Sequence, residues 1–135
     1  MTRIVYLDTS AVLRAVLEAG TTPEIEERLS STKYLVTSRL SLVESARALH
    51  RLRMDGSVSE SQIAGFAREI DSIWARCVLW EITRAVCDLA AQAAPSTRLR
   101  ALDALHLATY LTARRRLGDI ELLTADERLA LAAGV

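Results

Sequence analysis

Short runs of apolar and β-branched residues alternate with longer helix-forming segments along the chain, and no other feature narrows the choice of fold as far. Strands that are separated by helices form βαβ units, in which neighbouring strands run parallel. The sequence therefore predicts a three-layer α/β/α sandwich around a central, mainly parallel sheet. The predicted strands are Ile4–Leu7 and residues 34–37, 78–82 and 121–124.

Capping and stop residues mark where the connecting helices begin and end. Gly20 ends the first predicted helix, and Thr22 with Pro23 opens the second. Residues 57–60 have the spacing of a capping box and open another helix, which runs to about residue 74. The remaining predicted helices cover residues 38–54, a segment from residue 83 to near residue 95, residues 99–117 and a short segment at the C-terminus.

The composition predicts one folded domain that spans residues 1–135. Half of the residues are hydrophobic, so the chain can form a core without disulfides or a structural metal. No apolar run reaches the roughly 18 residues of a membrane span, and the first residues lack the features of a signal peptide. We therefore expect a cytoplasmic protein, in which Cys77 and Cys87 are small, buried hydrophobic residues.

The formal net charge of zero argues against a protein that binds nucleic acid through its overall charge. It leaves room for a local basic patch. Arg114, Arg115 and Arg116 close the helix predicted over residues 99–117, where cations stabilise the helix dipole. A contact with RNA or with a second copy of the chain is the alternative role for these three residues.

Three acidic residues follow predicted strands. Asp8 comes directly after the first strand, and Glu44 lies within the first two turns of the helix after the second. Asp126 follows the fourth strand. Because ligands of open α/β sheets bind beyond the carboxyl ends of the strands, we expect these three side chains to meet at one edge of the sheet.

Asp103 lies in a segment that is otherwise almost entirely apolar, as is typical of a buried helix. A carboxylate in such a helix loses hydration and needs a partner. That partner is either a site shared with the other acids or an ion pair with Arg100, one turn earlier, or with a neighbouring helix. We expect His106, one turn later, to pack beside the acid, with a role as general acid or base as the alternative.

The other three acids also have purely structural explanations. Asp8 could cap the helix that follows it. Glu44 has capping-box spacing from Ser41, and Asp126 stands near a helix N-terminus, where an acid is stabilised. For any one of these residues, the sequence favours neither the structural explanation nor the functional one. Four carboxylates at one edge of a sheet favour a shared site.

Such a cluster requires either protonation of some of its carboxylates or a divalent cation. Two bare carboxylates about 4 Å apart repel by roughly 4 kcal/mol at an effective dielectric constant of about 20. Oxygen ligands without Cys or His select hard ions, so we expect Mg²⁺ or Mn²⁺. A partly hydrated Mg²⁺, held by one or two carboxylates and a substrate phosphate, is suited to phosphodiester hydrolysis.

Four segments of the chain resemble the motifs of PIN-domain ribonucleases. VYLDTSA at residues 5–11 resembles the first motif, and LVE at residues 42–44 resembles the second. LDALHLA at residues 102–108 and LLTADERL at residues 122–129 resemble the third and fourth. The order, the spacing and the total length are similar to those of VapC toxins from bacterial VapBC toxin–antitoxin pairs, over essentially the whole chain.

The resemblance implies a Mg²⁺- or Mn²⁺-dependent endoribonuclease that acts as the toxin of a type II toxin–antitoxin pair and hydrolyses RNA phosphodiester bonds. It implies a homodimer and a VapB-type antitoxin that covers the site. It also implies that Ser10 or Thr124 hydrogen-bonds a carboxylate or a water molecule. The acidic residues implied as catalytic metal ligands are Asp8, Glu44, Asp103 and Asp126.

Two other classes of function compete with this interpretation. A PIN-fold module that binds RNA or protein without catalysis would not need a full set of four acids. Other α/β phosphate enzymes lack their own motifs here, since a dehalogenase-type phosphatase needs an Asp where Ser10 stands. A receiver domain needs a late Lys, but Lys33 is the only lysine, and no glycine-rich phosphate loop is present.

Overall fold

The computed structural model describes residues 3–135, so Met1 and Thr2 of the predicted domain lie outside the described residues. No helix within residues 3–135 combines the length and the apolar character that a membrane crossing requires. The strands are β1 (Ile4–Leu7), β2 (Tyr34–Ser38), β3 (Cys77–Trp80) and β4 (Ile120–Leu123). The helices are α1 (Thr9–Leu17), α2 (Pro23–Ser31), α3 (Arg39–Asp55), α4 (Glu60–Ala75), α5 (Arg84–Gln92), α6 (Ala101–Leu117) and α7 (Glu127–Ala133).

The four strands form one parallel sheet in the order β3-β2-β1-β4. Strand β1 lies inside the sheet, and Ile4 is in register with Tyr34 on one side and Ile120 on the other. The predicted α/β/α sandwich with a parallel sheet is confirmed. Because all strands point the same way, their carboxyl ends lie along one edge, which is where the site must be sought.

Alternate residues of β1 enter two separate hydrophobic cores. Val5 and Leu7 pack in a core with residues of α1, α2 and α4. Tyr6 points to the other face and packs in a core with residues of α6 and α7. All three side chains are fully buried. A strand that is covered on both faces is apolar throughout, so Asp8 is the first residue of this segment that can carry chemistry.

Several predicted boundaries are shifted by one or two residues. The capping box of α4 is formed by Ser59 and Gln62, not by Ser57 and Glu60. Ser59 Oγ accepts from the Gln62 amide, and the Gln62 side chain accepts from the Ser59 amide. Ser57 instead donates to Asp55, so this earlier serine belongs to the turn that precedes the helix.

Helix α6 begins at Ala101, two residues after the predicted start. The apolar pattern does include Leu99, but its amide donates to the carbonyl of Thr97 in a turn. Arg100 is therefore the N-cap residue, and Asp103 lies in the first turn of α6 rather than in its buried interior. This correction matters for the site, because the first turn opens toward the sheet edge.

The prediction of two buried cysteines is wrong for Cys87, which is exposed on α5. Cys77 begins β3 and is half-buried. Burial raises the pKa of the Cys77 thiol to about 12, so this thiol stays protonated and packs as an apolar group.

Candidate active site

A cavity of about 360 Å³ opens at the sheet edge and is lined by all four acids that the sequence singled out. Asp8 directly follows β1, and Glu44 lies in the second turn of α3. Asp103 is in the first turn of α6, and Asp126 is the residue before α7. The parallel sheet therefore brings together four side chains that are far apart in the sequence.

Asp8 is held by two hydroxyl groups, one from a residue of α1 and one from the residue that follows β4. Its Oδ2 accepts from Ser10 Oγ at 2.5 Å and from Thr124 Oγ1 at 2.7 Å. These hydroxyls accept in turn from the amides of Ala125 and Asp126, both at 2.9 Å. The amides fix the direction of both hydroxyl protons, so the Asp8 carboxylate is oriented by a saturated network that joins the ends of β1 and β4.

The capping explanation of Asp8 is wrong, since its side chain makes no capping hydrogen bond to α1 in the described structure. The explanation of Glu44 as part of a capping box is also wrong. Helix α3 is capped by Ser38, whose Oγ accepts from the amide of Leu40. Neither carboxylate therefore caps a helix, and both residues line the cavity.

Glu44 is anchored through one of its two carboxylate oxygens. Oε1 accepts from Thr9 Oγ1 at 2.7 Å and faces His106 Nε2 at 2.5 Å. Among residues 3–135, no side chain or amide donates to Oε2. The free oxygen belongs to a side chain that lines the cavity, so it is available to a ligand there.

His106 is a buried bridge between two of the acids, with only 1% of its surface exposed. Besides Glu44, its Nε2 lies 3.5 Å from Asp8 Oδ1. Its Nδ1 lies 2.8 Å from the hydroxyl of Tyr6. Because Nε2 faces carboxylates, it carries a proton, and Nδ1 bonds the Tyr6 hydroxyl as an acceptor in the neutral ring and as a donor in the imidazolium. We expected His106 to pack beside Asp103, but the structure directs it to Asp8 and Glu44 instead.

Burial disfavours the charged forms of both His106 and Glu44, and their mutual contact outweighs this effect. The hydrogen bond to Glu44 and the negative charge of Asp8 raise the pKa of His106 above its ordinary value. The hydrogen bond and the charge of His106, with the hydrogen bond from Thr9, lower the pKa of Glu44. The two carboxylates thus favour protonation of His106, and the protonated ring offsets part of their negative charge.

Asp103 and Asp126 each combine a structural contact with a place in the cavity. Arg100 Nε lies 3.4 Å from Asp103 Oδ2, but the arginine side chain is 79% exposed, so this ion pair contributes little. Asp126 Oδ1 accepts from the amides of Arg128 and Leu129 and caps α7. Within residues 3–135, the other oxygen of each of these carboxylates accepts no hydrogen bond.

The donor set fits a partly hydrated hard cation rather than a closed protein cage. In the described part of the chain, no three Asp, Glu, His or Cys side chains are close enough together to hold an ion by themselves. Asp8 and Glu44 lie close together, since an oxygen of each approaches His106 Nε2, and among the described residues Glu44 Oε2 accepts no hydrogen bond and is left for a cation in the cavity. Mg²⁺ accepts one or two carboxylates and completes its shell with water and substrate oxygens, which agrees with this arrangement.

Three further residues line the cavity without having been predicted as site residues: Thr9, Arg47 and Arg51. The signal for the two arginines was their spacing, since they follow Glu44 by three and seven residues on α3 and so share its face. The contact of Thr9 with Glu44 links α1 to α3, and no local pattern in the sequence predicts it.

The sequence model of the PIN domain family matches residues 5–135. The chain belongs to the PIN-domain family. It is 32% identical to Ribonuclease VapC35 of Mycobacterium tuberculosis H37Rv, over 96% of this chain and 90% of that protein. It is 31% identical to Ribonuclease VapC45 of Mycobacterium tuberculosis CDC 1551, over 93% of this chain and 86% of that protein.

Solved structures share the fold at lower identity. The crystal structure of PAE2754 from Pyrobaculum aerophilum matches 97% of this chain and 79% of its own with a TM-score of 0.67 and 18% identity. The structure of VapBC2 from Rickettsia felis bound to a DNA fragment from their promoter matches 91% of this chain and 99% of its own. Its TM-score is 0.59 at 11% identity, so it supports the fold alone.

Proposed function

We propose that this chain is a metal-dependent endoribonuclease that hydrolyses RNA phosphodiester bonds as the toxin of a type II toxin–antitoxin pair. The observation that carries the proposal is the cavity at the sheet edge, lined by four carboxylates, in a chain whose relatives are named ribonucleases. We further propose that residues 1–135 form one PIN-like domain and that the protein acts in the cytoplasm.

We assign the catalytic and metal-binding roles to Asp8, Glu44, Asp103 and Asp126. When bound, Mg²⁺ or Mn²⁺ supplies Lewis acidity to the scissile phosphate and to the attacking water. The chain supplies orientation and charge. Pairs of contacts fix the two central acids before substrate arrives, since rigid placement is what a reacting geometry requires. These pairs are Ser10 with Thr124 for Asp8, and Thr9 with His106 for Glu44.

The proposed partners are an RNA substrate, a VapB-type antitoxin and a second copy of the chain. Two relatives carry the name VapC, and a structural neighbour is a VapBC pair on promoter DNA, which supports an antitoxin partner. An antitoxin that covers the cavity would block substrate and metal together. We propose the homodimer by resemblance to VapC toxins.

Substitution of two of the four acids tests the ribonuclease directly. We expect Asp8→Asn and Asp103→Asn each to lower the rate of RNA cleavage by at least about 100-fold, because the charge that would hold the cation is lost. Cleavage by the unchanged protein should require Mg²⁺ or Mn²⁺ and stop in EDTA. Asp71→Asn on α4, an exposed acid away from the cavity, is the matched control and should cleave normally.

Two results would contradict the proposal. One is cleavage at an unchanged rate in both Asp8→Asn and Asp103→Asn. The other is a purified protein that binds RNA but cleaves none with any divalent ion. That second outcome would favour a non-catalytic PIN-fold binding module instead.

A further inference from the structure

Two arginines on α3 line the cavity without a partner of their own. Arg47 and Arg51 are exposed, and within residues 3–135 neither takes part in an ion pair or a side-chain hydrogen bond. Other arginines of the same helix are used differently. Arg39 pairs with Glu81 on the loop after β3, and Arg53 pairs with the first residue of α4. The two cavity arginines, here called the arginine pair, therefore have free guanidinium groups.

We propose that the arginine pair, Arg47 and Arg51, is a phosphate-binding subsite that holds the RNA strand next to the acidic end of the cavity. The proposal rests on the proposed ribonuclease function. Its ligand is the sugar-phosphate backbone of a single RNA strand, bound without regard to base sequence. In this role the two arginines are positioning residues for substrate and do not take part in the bond-breaking step.

Helix geometry gives the subsite its spacing. Along the axis of α3, Arg47 lies roughly 4.5 Å and Arg51 roughly 10.5 Å from Glu44, at 1.5 Å of rise per residue. The backbone positions of the two arginines are therefore about one helical turn apart, on the face that carries Glu44. This spacing suits successive phosphates of one strand that runs from the acids along α3. The phosphate that is cut lies at the acids, and the arginine pair takes its neighbours.

Electrostatics explains why such a subsite is needed here. The chain has no net positive charge with which to attract RNA, and the cavity itself contains four carboxylates. A polyanion gains affinity by replacing its counterions with Lys or Arg, so local cations beside the acids must supply the attraction. Arg100 also lines the cavity, but it is already paired with Asp103. Only the arginine pair offers unshared charge among the described residues of this cavity.

A single RNA strand fits this surface better than an acidic protein segment. Guanidinium groups bind phosphate through a planar fork of two hydrogen bonds, which makes arginine a preferred ligand for it. An RNA backbone carries one charge at every nucleotide, so one strand can reach both arginines and the acidic end of the same cavity. An acidic peptide would have to place its charges at matching intervals.

The first experiment measures RNA binding with cleavage prevented by EDTA. Fluorescence anisotropy of a labelled oligouridylate and of a mixed-sequence RNA is followed over a range of KCl concentrations for Arg47→Ala, Arg51→Ala and the double variant. Alanine is compatible with exposed helix positions, so folding is preserved. Arg68→Ala on α4 is the control, because this exposed arginine makes no ion pair in the described structure and does not line the cavity.

We expect each single substitution to lower the affinity for both RNAs by roughly fivefold, and the double substitution to lower it further. The plot of log affinity against log salt should become shallower by about 0.7 for each arginine removed, as for a lost phosphate contact on a single strand. Arg68→Ala should leave both quantities unchanged. Equal RNA affinity in the double variant and the control would overturn the proposal. A protein partner would then be the favoured ligand of the arginine pair. A loss confined to one RNA sequence would overturn it as well, since that indicates base contacts.

The second experiment separates this proposal from the ribonuclease proposal. In Mn²⁺, the double variant should raise KM for RNA about tenfold or more with kcat nearly unchanged. Asp8→Asn should do the opposite and lose cleavage while it still binds RNA. If the unchanged protein cleaves no RNA, the ribonuclease proposal fails, but the binding experiment still decides the role of the arginine pair. A fall in kcat at constant KM in the double variant would contradict the subsite.

Discussion

His106 is the single residue that most changes the expected electrostatics of the site. From the sequence, four carboxylates at one edge of the sheet require either protonation or a divalent cation. The structure shows that the chain places a buried imidazole against Asp8 and Glu44, with its other nitrogen bonded to Tyr6. The chain itself therefore supplies a buried group that holds Asp8 and Glu44 close together.

A pair of substitutions at His106 separates hydrogen bonding from packing. We expect His106→Leu to lower the free energy of unfolding by about 2–3 kcal/mol in EDTA, because it removes the donor to Glu44 and the hydrogen-bond partner of the Tyr6 hydroxyl. His106→Gln keeps an N–H donor and should lose about 1 kcal/mol. Urea unfolding measures both values, with the exposed His50→Leu on α3 as the control. Equal losses in the Leu and Gln variants would mean that the ring acts only by filling space.

The contact between His106 and Glu44 also predicts how stability depends on pH in EDTA. The raised pKa of His106 contributes stability that is complete below the unfolded value of 6.5 and is lost as pH rises through the folded pKa. The lowered pKa of Glu44 contributes stability that is complete above 4.5 and is lost as pH falls through the folded pKa. Unfolding in urea should therefore require the most free energy between these two values. His106→Leu should flatten the profile, and an unchanged profile in this variant would contradict the assignment.

At the level of the elements, the ends of strand β1 were easier to predict than the start of helix α6. Strand β1 was predicted to the residue, because a short apolar run that is buried on both faces has clear ends. Helix α6 was predicted two residues too early, because its apolar periodicity continues into Leu99, where a turn takes over. Helix ends are decided by hydrogen bonds that periodicity does not record.

The same limit applies to the site. The position of each acid relative to its strand was readable from the sequence, since the parallel sheet orders the strand ends. The bond from Thr9 to Glu44 and the bridge through His106 join α1, α3 and α6. They depend on how three helices pack at one point, and no local pattern carries that information.

Asp126 caps α7 and is also proposed to bind the cation, and one pair of variants separates these two roles. Asn caps a helix as well as Asp does, so we expect Asp126→Asn to keep the free energy of unfolding and Asp126→Ala to lose about 1 kcal/mol. If Asp126 also holds the cation, Asp126→Asn should slow RNA cleavage despite normal stability. Both quantities are measured on the same protein, by urea unfolding and by cleavage in Mn²⁺. Normal cleavage by Asp126→Asn would leave the residue with its capping role alone.

Across the whole molecule, the acidic cavity is the place where both hydrophobic cores and three helices meet the end of the sheet. Tyr6 belongs to the core below α6 and also bonds His106, while Leu7 belongs to the opposite core and precedes Asp8. Asp8 is in addition tied to β4 through Thr124. A ligand that binds the acids therefore contacts elements from both faces of the sheet. Its binding should raise the free energy of unfolding of the whole protein.

Binding of Mg²⁺ or Mn²⁺ should consequently stabilise the whole protein in proportion to its affinity for the folded state alone. At a free ion concentration of about 100 times Kd, the stabilisation is about 2.7 kcal/mol, which a thermal or urea melt detects easily. Asp8→Asn should abolish the shift, and Asp71→Asn should retain it. His106→Leu should enlarge it, because the ion then no longer competes with the imidazolium for Asp8 and Glu44. A shift of equal size in Asp8→Asn, or one reproduced by KCl at matched ionic strength, would mean that the ion acts on general surface charge and not at this cavity.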